Sequence, residues 1–332
     1  MKNLAVIGGG SWGTALAIVL APRFPRLRLW VYEADLAARM KDRRDNDIYL
    51  PGYHLPAHVE VTSDLAAALD GAEIVLSVVP SHVVRDLYRQ MLPFLNQSMV
   101  FVSATKGLEN GSLLRMSEVI GEVVGVSFAP RVAAISGPTF AREVAKFEPT
   151  VLVVASSEPG LAENIQAAFS GPTFRLYASQ DTVGVEIGGS IKNVVAIGSG
   201  VLHGMGLGHN VTAALITRGL AEITRLAVAM GGKPQTLAGL AGLGDLVLTC
   251  TGDLSRNRTV GVELARGRKL DEIVRSMKMV AEGIKTTNAA ADLARRWSVE
   301  MPIAEQMFQM LHFGVPPREA IQRLMERSLK GE

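Results

Sequence analysis

A long stretch without Asp, Glu, Lys or Arg, Asn193–Thr217, constrains the fold of this chain more than any other feature. A run of this length must be buried either in a protein core or in a membrane. His203, His209, Asn210 and several glycines interrupt it, so it predicts buried helix and loop and no membrane span. With 332 residues, of which 48% are hydrophobic, the chain is expected to form two domains.

Lys192 stands directly before this stretch, inside the apolar helical pattern of Val185–Gly198. Burial or a neighbouring cation would lower its pKa and make it a usable proton donor and acceptor. Gly188 and Gly189, one turn earlier, would let another element approach the helix closely. The alternative is a lysine at a helix edge whose amine reaches water.

The composition excludes several classes of partner. The net charge is only +2, which gives no broad basic field for nucleic acid or membrane. The single cysteine, Cys250, cannot form an intrachain disulfide, which fits a reducing compartment and predicts a cytoplasmic protein. No residues are assigned as metal ligands.

The first half opens with a dinucleotide-binding pattern. The apolar run Asn3–Gly8 leads into Gly8-Gly9-Gly10-Ser11-Trp12-Gly13, and an alanine-rich helical pattern follows. In this setting Gly8 would make the turn, Gly10 would admit a pyrophosphate and Gly13 would pack the helix on the strand. Glu33 follows at the distance where a carboxylate meets the adenosine ribose. A tight glycine turn without a ligand is the alternative.

Strand-like and helical segments alternate up to about residue 180. This alternation predicts a doubly wound, mainly parallel sheet of the Rossmann-type α/β class in residues 1–180, followed by an all-α domain in residues 181–332. The strand-like runs are Asn3–Gly8, Leu27–Tyr32, Glu73–Val79, Met99–Ser103, Val132–Ser136, Thr150–Ala155 and Thr173–Tyr177. Lys106 comes just after one of them and is a candidate anion or carbonyl contact, with a solvated loop lysine as the alternative.

The second half reads as helical throughout. In His209–Met230, Arg218, Glu222 and Arg225 recur at helical spacing, which predicts an exposed face of paired charges. Gly239–Asp245 reads as a flexible turn that ends in a carboxylate.

Thr249–Arg258 brings hydroxyls, an amide and two arginines together, as in a phosphate cradle. Simpler roles remain open: a turn residue for Asp245, a helix N-cap for Ser255 and a surface ion pair for Arg258.

Together these motifs resemble the NAD-dependent glycerol-3-phosphate dehydrogenase family of bacteria. The resemblance runs in order over nearly the whole chain, and the motifs of the second half are specific to that family. The matching segments are Gly8–Leu16, Asn46–Gly52, Ala104–Glu109, Ser136–Ala141, Gly188–Asn193, Ala214–Gly219, Gly239–Asp245, Ser255–Arg258 and Ala281–Thr286.

The resemblance implies reduction of dihydroxyacetone phosphate to sn-glycerol 3-phosphate for phospholipid synthesis, with NADH or NADPH, and a homodimer. Lys192 would be the proton-transfer residue, and it and Lys106 would both contact the substrate. The remaining implied substrate contacts are Gly137, Thr139, Asp245, Ser255, Arg256 and Asn257. Beside Gly8, Gly10, Gly13 and Glu33, the implied cofactor contacts are Ser11, Trp12, Tyr32, Tyr49, Lys106, Ala141, Arg256, Val280 and Glu282.

One position departs from the family pattern, since Ser190 stands where the family usually has alanine. Other two-domain dehydrogenases of hydroxy acids or sugar acids, and a non-catalytic NAD-binding sensor, are the competing interpretations. The cluster Ser255–Arg258 favours a phosphorylated substrate. Glu33 at the end of the second strand predicts that NADH is used at least as well as NADPH.

Overall fold

The computed structural model describes residues 1–277 and 279–328 of the chain. Its first part is an eight-stranded sheet with the strand order β10-β9-β8-β7-β6-β1-β2-β5. A two-stranded antiparallel ribbon, β3 and β4, stands beside it. The strands are β1 Asn3–Ile7, β2 Arg26–Trp30, β3 Asp45–Asn46, β4 Leu50–His54, β5 Val59–Thr62, β6 Ile74–Ser77, β7 Val100–Ser103, β8 Arg131–Ser136, β9 Thr150–Ala155 and β10 Phe174–Ser179.

Helices cover both faces of the sheet and make up the rest of the described chain after β10. Those of the first part are α1 Ser11–Leu20, α2 Ala34–Arg43, α3 Leu65–Leu69, α4 Val84–Met91, α5 Met116–Gly125, α6 Ala141–Ala145 and α7 Leu161–Phe169. Those that follow are α8 Thr182–Gly204, α9 His209–Ala229, α10 Pro234–Leu237, α11 Asp245–Thr251, α12 Arg256–Ala265, α13 Leu270–Ser276, α14 Glu282–Arg296, α15 Pro302–Phe313 and α16 Pro317–Met325.

The predicted Rossmann-type α/β fold with a helical C-terminal part is confirmed. Neighbouring strands pair in parallel, with the exception that β8 and β9 run antiparallel. The connection between them holds only the short helix α6, too little for the crossover that a parallel pair needs. The edge strand β5 escaped the sequence analysis because its apolar alternation covers only four residues.

Helix α8 is the centre of the helical part. Its residues Gly184–Leu202 are all buried, and α9, α11, α12, α14 and α15 pack around it. By itself it is the one described helix long and apolar enough to cross a membrane, yet its test window is 100% buried inside the protein. Pro234–Thr251 and Arg256–Ala265 pass the same test only as a pair bent by 46°. The uncharged stretch is therefore core helix, as predicted.

Two predictions about local structure are wrong. Residues Leu240–Gly244 form a π-helical turn that continues directly into α11, so Gly239–Asp245 is an ordered part of the core and not a flexible turn. Glu222 does not lie on an exposed charged face; it is buried and accepts hydrogen bonds from the N–H groups of Ile303 and Ala304 at the start of α15. The carboxylate satisfies helix N–H groups that would otherwise lack acceptors.

Candidate active site

The glycine turn after β1 has the geometry of a dinucleotide-binding loop. Gly8 has φ +129°, and a side chain there would lie 2.4 Å from the carbonyl oxygen of Val78. A side chain at Gly13 would lie 1.8 Å from the carbonyl oxygen of Gly8, so only glycine lets α1 approach the strand. At Gly10 nothing lies within 4 Å, which leaves space for a ligand against the backbone.

The N-terminus of α1 faces that space with free donors. The helix begins at Ser11, and no side chain caps it. Trp12 Nε1 is buried and has no partner among the described residues. Uncapped N–H groups at a helix start are suited to a phosphate, and the residues present therefore fit a dinucleotide.

Asn46, on the ribbon strand β3, holds the glycine turn from outside the sheet. Its Nδ2 donates to the carbonyl of Gly9 and to Thr14 Oγ1, each at 2.8 Å, and its Oδ1 accepts from the Tyr49 N–H at 3.0 Å. The side chain is fully buried. Sequence analysis included this residue only within a family motif; its amide ties the glycine turn to the loop that carries Tyr49.

Tyr32, Glu33 and Tyr49 meet at the edge where an adenosine ribose is predicted to bind. Glu33 immediately precedes α2, and its Oε1 accepts from Tyr49 Oη at 2.7 Å. That hydrogen bond, with burial, raises the pKa of Tyr49 to about 12. Tyr32 is 78% exposed and makes an edge contact with the ring of Trp30.

Lys192 lies on the fully buried part of α8, so the interpretation of a lysine that reaches water is wrong. Its Nζ donates to Asp245 Oδ1 and, at 2.9 Å, to Thr249 Oγ1. The third N–H of the ammonium has no acceptor among the described residues. Burial lowers the pKa of Lys192 to about 7, against the opposing charge of Asp245 and with the help of Lys106.

Lys106, in the loop after β7, approaches the same carboxylate from the sheet side. Its Nζ donates to the carbonyl of Gly137 at 2.7 Å, to Thr139 Oγ1 at 2.9 Å and to Asp245 Oδ2 at 3.0 Å. Asp245, which is 0% exposed, thus stands between two ammonium groups, one on each oxygen. Lys106 is not a solvated loop lysine, and Asp245 is not a simple turn residue.

Glycines bring these elements together. A side chain at Gly188 of α8 would lie 2.6 Å from the carbonyl oxygen of Ala241 in the π-helical turn. A side chain at Gly189 would lie 2.3 Å from Ser136 Oγ at the end of β8. The two glycines therefore permit the close approach that places Lys192 beside Asp245.

A chain of amides continues from Lys106 toward α14. Asn193 Nδ2 lies 3.4 Å from the carbonyl of Lys106, and Asn257 Nδ2 donates to Asn193 Oδ1 at 2.8 Å. Asn257 Oδ1 accepts from the N–H of Gly283 at 3.0 Å. One residue earlier, Glu282 accepts from the Ser81 N–H at 3.2 Å and from Ser81 Oγ at 2.7 Å.

Ser255 and Arg256 stand at the start of α12. Ser255 is the N-cap, as its simpler interpretation held, and its Oγ accepts from the Arg258 N–H at 3.3 Å. Arg258 forms an ion pair with Asp253 at 2.9 Å, also as the simpler interpretation held. Arg256 is exposed and forms no hydrogen bond or ion pair with another described residue. It is the unpaired cation of this cluster.

The remaining predicted contacts lie nearby on three separate elements. Gly137 has φ +146°, and its carbonyl holds Lys106. Ala141 is the first residue of α6, and Val280 is 39% exposed just before α14. Thr249 was not predicted as a separate site residue, because a threonine within an apolar helix gives no sequence signal.

The comparisons with known proteins agree with this geometry. Residues 3–162 match the family model described as the N-terminus of NAD-dependent glycerol-3-phosphate dehydrogenase, and residues 181–322 match the model of its C-terminus. The chain belongs to the NAD-dependent glycerol-3-phosphate dehydrogenase family.

Relatives with this name cover the whole chain. A glycerol-3-phosphate dehydrogenase (NAD(P)+) from Koribacter versatilis is 60% identical over 98% of both chains. One from Geobacter sp. strain M21 is 53% identical over 100% of this chain and 99% of its own. The crystal structure of glycerol-3-phosphate dehydrogenase from Coxiella burnetii superposes with a TM-score of 0.94 at 40% identity, covering 98% of this chain and 99% of its own.

No group of three or more His, Cys, Asp or Glu side chains that could hold a metal ion occurs within residues 1–277 and 279–328.

Proposed function

We propose that this protein is a glycerol-3-phosphate dehydrogenase that reduces dihydroxyacetone phosphate to sn-glycerol 3-phosphate with NADH or NADPH. The observation that carries the proposal is the state of Lys192. It is a buried amine whose pKa is near neutrality, fixed by Asp245 and Thr249 with one N–H unused. Such a group is suited to donate and accept a proton at a carbonyl oxygen.

The chain's own residues supply the proton and the charge. The chemistry that a bound reduced nicotinamide supplies is a hydride for the carbonyl carbon. Lys192 Nζ then gives its free proton to the developing alkoxide, and in the reverse direction the neutral amine takes the hydroxyl proton. Lys106 stabilises negative charge on the substrate oxygen and, by its own charge, keeps the Lys192 pKa low.

The phosphate of the substrate is assigned to the start of α12. Arg256 lacks a protein partner there, and the helix N-terminus adds N–H donors of the right sign. A planar guanidinium can hold two phosphate oxygens at once. Gly137, Thr139, Asp245, Ser255 and Asn257 complete the proposed substrate contacts.

The cofactor is assigned to the glycine turn and the surfaces around it. Gly8, Gly10, Ser11, Trp12 and Gly13 would hold the pyrophosphate. The further proposed contacts are Tyr32, Glu33, Tyr49, Lys106, Ala141, Arg256, Val280 and Glu282.

We further propose a domain boundary near residue 180, a homodimer, a cytoplasmic location and a role in phospholipid synthesis. Strands end with β10 and α8 begins at Thr182, which supports the boundary. The other three assignments rest on the family.

The test is the loss of nicotinamide absorbance when purified protein is given dihydroxyacetone phosphate with NADH or NADPH. We expect turnover with at least one cofactor, and little with dihydroxyacetone, which lacks the phosphate. Faster turnover of a hydroxy acid or sugar acid would assign the protein to another dehydrogenase class. Cofactor binding without turnover of any of these compounds would favour an NAD-binding sensor.

A further inference from the structure

Glu186 is a buried carboxylate of α8 that the proposed mechanism does not use. Its side chain is 5% exposed, and it lies six residues before Lys192 on the same helix. Its partners all come from the sheet-containing part of the chain. It accepts from Arg115 Nη1 at 2.7 Å, from the Ser117 N–H at 2.9 Å and from Ser117 Oγ at 2.5 Å.

Arg115 closes the loop that Lys106 begins. Leu108 and Arg115 form an antiparallel bridge, and the Glu109 N–H donates to the carbonyl of Leu114 at 3.0 Å. The segment from Lys106 to Arg115 is therefore a closed hairpin-like loop, and a shift at its Arg115 end is passed to Lys106.

The same loop packs on the helix that carries Lys192. Leu108 is 2% exposed and belongs to the core cluster that contains Ile187 and Ile191 of α8. Near Lys106 itself, a direct polar link from α8 is the 3.4 Å contact from Asn193 Nδ2 to the Lys106 carbonyl. That distance is long for a hydrogen bond, so the charged contacts of Glu186 are the stronger polar attachment.

The guanidinium of Arg115 has a second carboxylate partner. Its Nη2 donates to Glu118 Oε1 at 2.8 Å, and the Glu118 side chain also accepts from the Arg115 N–H at 2.9 Å. Glu118 keeps Arg115 at the start of α5, whereas Glu186 reaches it from α8. Only the Glu186 contact joins the two parts of the chain.

We propose that Glu186 is a positioning residue that, through Arg115 and Ser117, latches the Lys106 loop to the helix of Lys192. The latch fixes where the Lys106 ammonium stands relative to Asp245 and Lys192. This inference rests on the proposed function for its catalytic consequence, although the latch itself is a property of the fold.

Loosening the latch has a predictable electrostatic result. The charged and titratable groups that act on Lys192 are Lys106 from the sheet side and Asp245 and Cys250 from α11. If Lys106 moves away, Lys192 loses a neighbouring cation and shares Asp245 with no competitor. Both changes raise the pKa of Lys192.

The test compares Glu186→Gln with Glu222→Gln. Glu222 is a matched control because it is also a buried carboxylate that accepts backbone N–H groups, but at α15 and away from the Lys106 loop. Three properties are measured: amide hydrogen exchange of residues 107–117, kcat/KM for dihydroxyacetone phosphate, and the pH dependence of kcat/KM for oxidation of glycerol 3-phosphate.

Glu186→Gln is expected to speed exchange in residues 107–117 by about tenfold or more. The value of kcat/KM should fall by about tenfold to a hundredfold, as for a misplaced catalytic group. The limb of the oxidation profile should move to higher pH, and NADH affinity measured by calorimetry should be unchanged. Glu222→Gln should leave loop exchange and the position of the limb at their wild-type values.

Wild-type loop exchange and an unmoved limb in Glu186→Gln would overturn the proposal, as would identical changes in Glu222→Gln. If Glu186→Gln fails to fold, Ser117→Ala decides. It removes one hydrogen bond to Glu186 and should give smaller changes in the same direction, and no change would overturn the latch. A wild type that lacks turnover would contradict the proposed function, while hydrogen exchange would still report on the latch.

Discussion

The buried centre around Asp245 and the exposed edge around Glu33 are built in opposite ways. At the centre, Asp245 is 0% exposed, and each of its oxygens accepts from a lysine held by further partners. At the edge, Tyr32 is 78% exposed, and Glu33 is held by a single hydrogen bond from Tyr49.

The difference separates chemistry from recognition. A proton-transfer group must be fixed before the substrate arrives, because its rate depends on geometry and pKa. A surface that meets the outer end of a cofactor can be rebuilt with little effect on the reaction. Substitutions at the centre should therefore act mainly on kcat, and those at the edge mainly on the choice of cofactor.

The largest effect is expected at Lys192. Lys192→Met fits the apolar surroundings and leaves Asp245 paired with Lys106, so the protein should fold and bind NADH normally. Loss of the general acid should lower kcat by roughly 10²–10⁴. Steady-state kinetics and NADH calorimetry measure both properties, and a variant that keeps more than about a tenth of wild-type kcat would remove Lys192 from this role.

Arg256 lies between the two extremes because it is exposed and unpaired yet assigned to the substrate phosphate. Arg256→Lys keeps the charge but loses the planar fork, so KM for dihydroxyacetone phosphate should rise by about tenfold. The control compound is dihydroxyacetone, which lacks the phosphate and should be affected far less. Equal losses for both compounds would show that Arg256 does not bind the phosphate.

The pKa of Lys192 predicts opposite pH dependences for the two directions. Burial lowers this pKa to about 7, so the ammonium needed for reduction is lost as the pH rises through that value. Above it, kcat/KM for reduction should fall about tenfold per pH unit, while kcat/KM for oxidation levels off at a maximum. Profiles in both directions measure this limb, and a limb near the ordinary lysine value would contradict the assignment.

The same contrast explains what the sequence could predict. Apolar runs located β1, β7 and β9, and the helical spacing of Leu161–Phe169 matched α7 residue for residue. The reversed direction of β9 was not predictable, because an apolar run carries no information on strand direction.

At the site, the lone lysine in an apolar helix singled out Lys192. That Asp245 joins Lys192 to Lys106 depends on the packing of three distant elements. Glu186 and Glu222 escaped notice for the same reason, since their partners include backbone N–H groups that any residue carries. Local patterns thus identified elements and individual side chains, whereas long-range polar pairing had to be read from the structure.

The smallest effect on chemistry, and the sharpest test of the exposed edge, is expected at Glu33. A carboxylate after the second strand accepts ribose hydroxyl donors and repels a 2′-phosphate. The nearby arginines are engaged elsewhere: Arg39 pairs with Asp47 at 3.0 Å, and Arg44 donates to the carbonyl of Val59 at 2.8 Å. The wild type should therefore use NADH at least as well as NADPH, and Glu33→Arg should move the ratio of the two kcat/KM values toward NADPH by about tenfold. Tyr49→Phe is the matched control, because it removes the hydrogen bond to Glu33 without changing the charge and should shift the ratio far less. A wild type that prefers NADPH tenfold or more, together with an unchanged ratio in Glu33→Arg, would show that this edge does not select the cofactor.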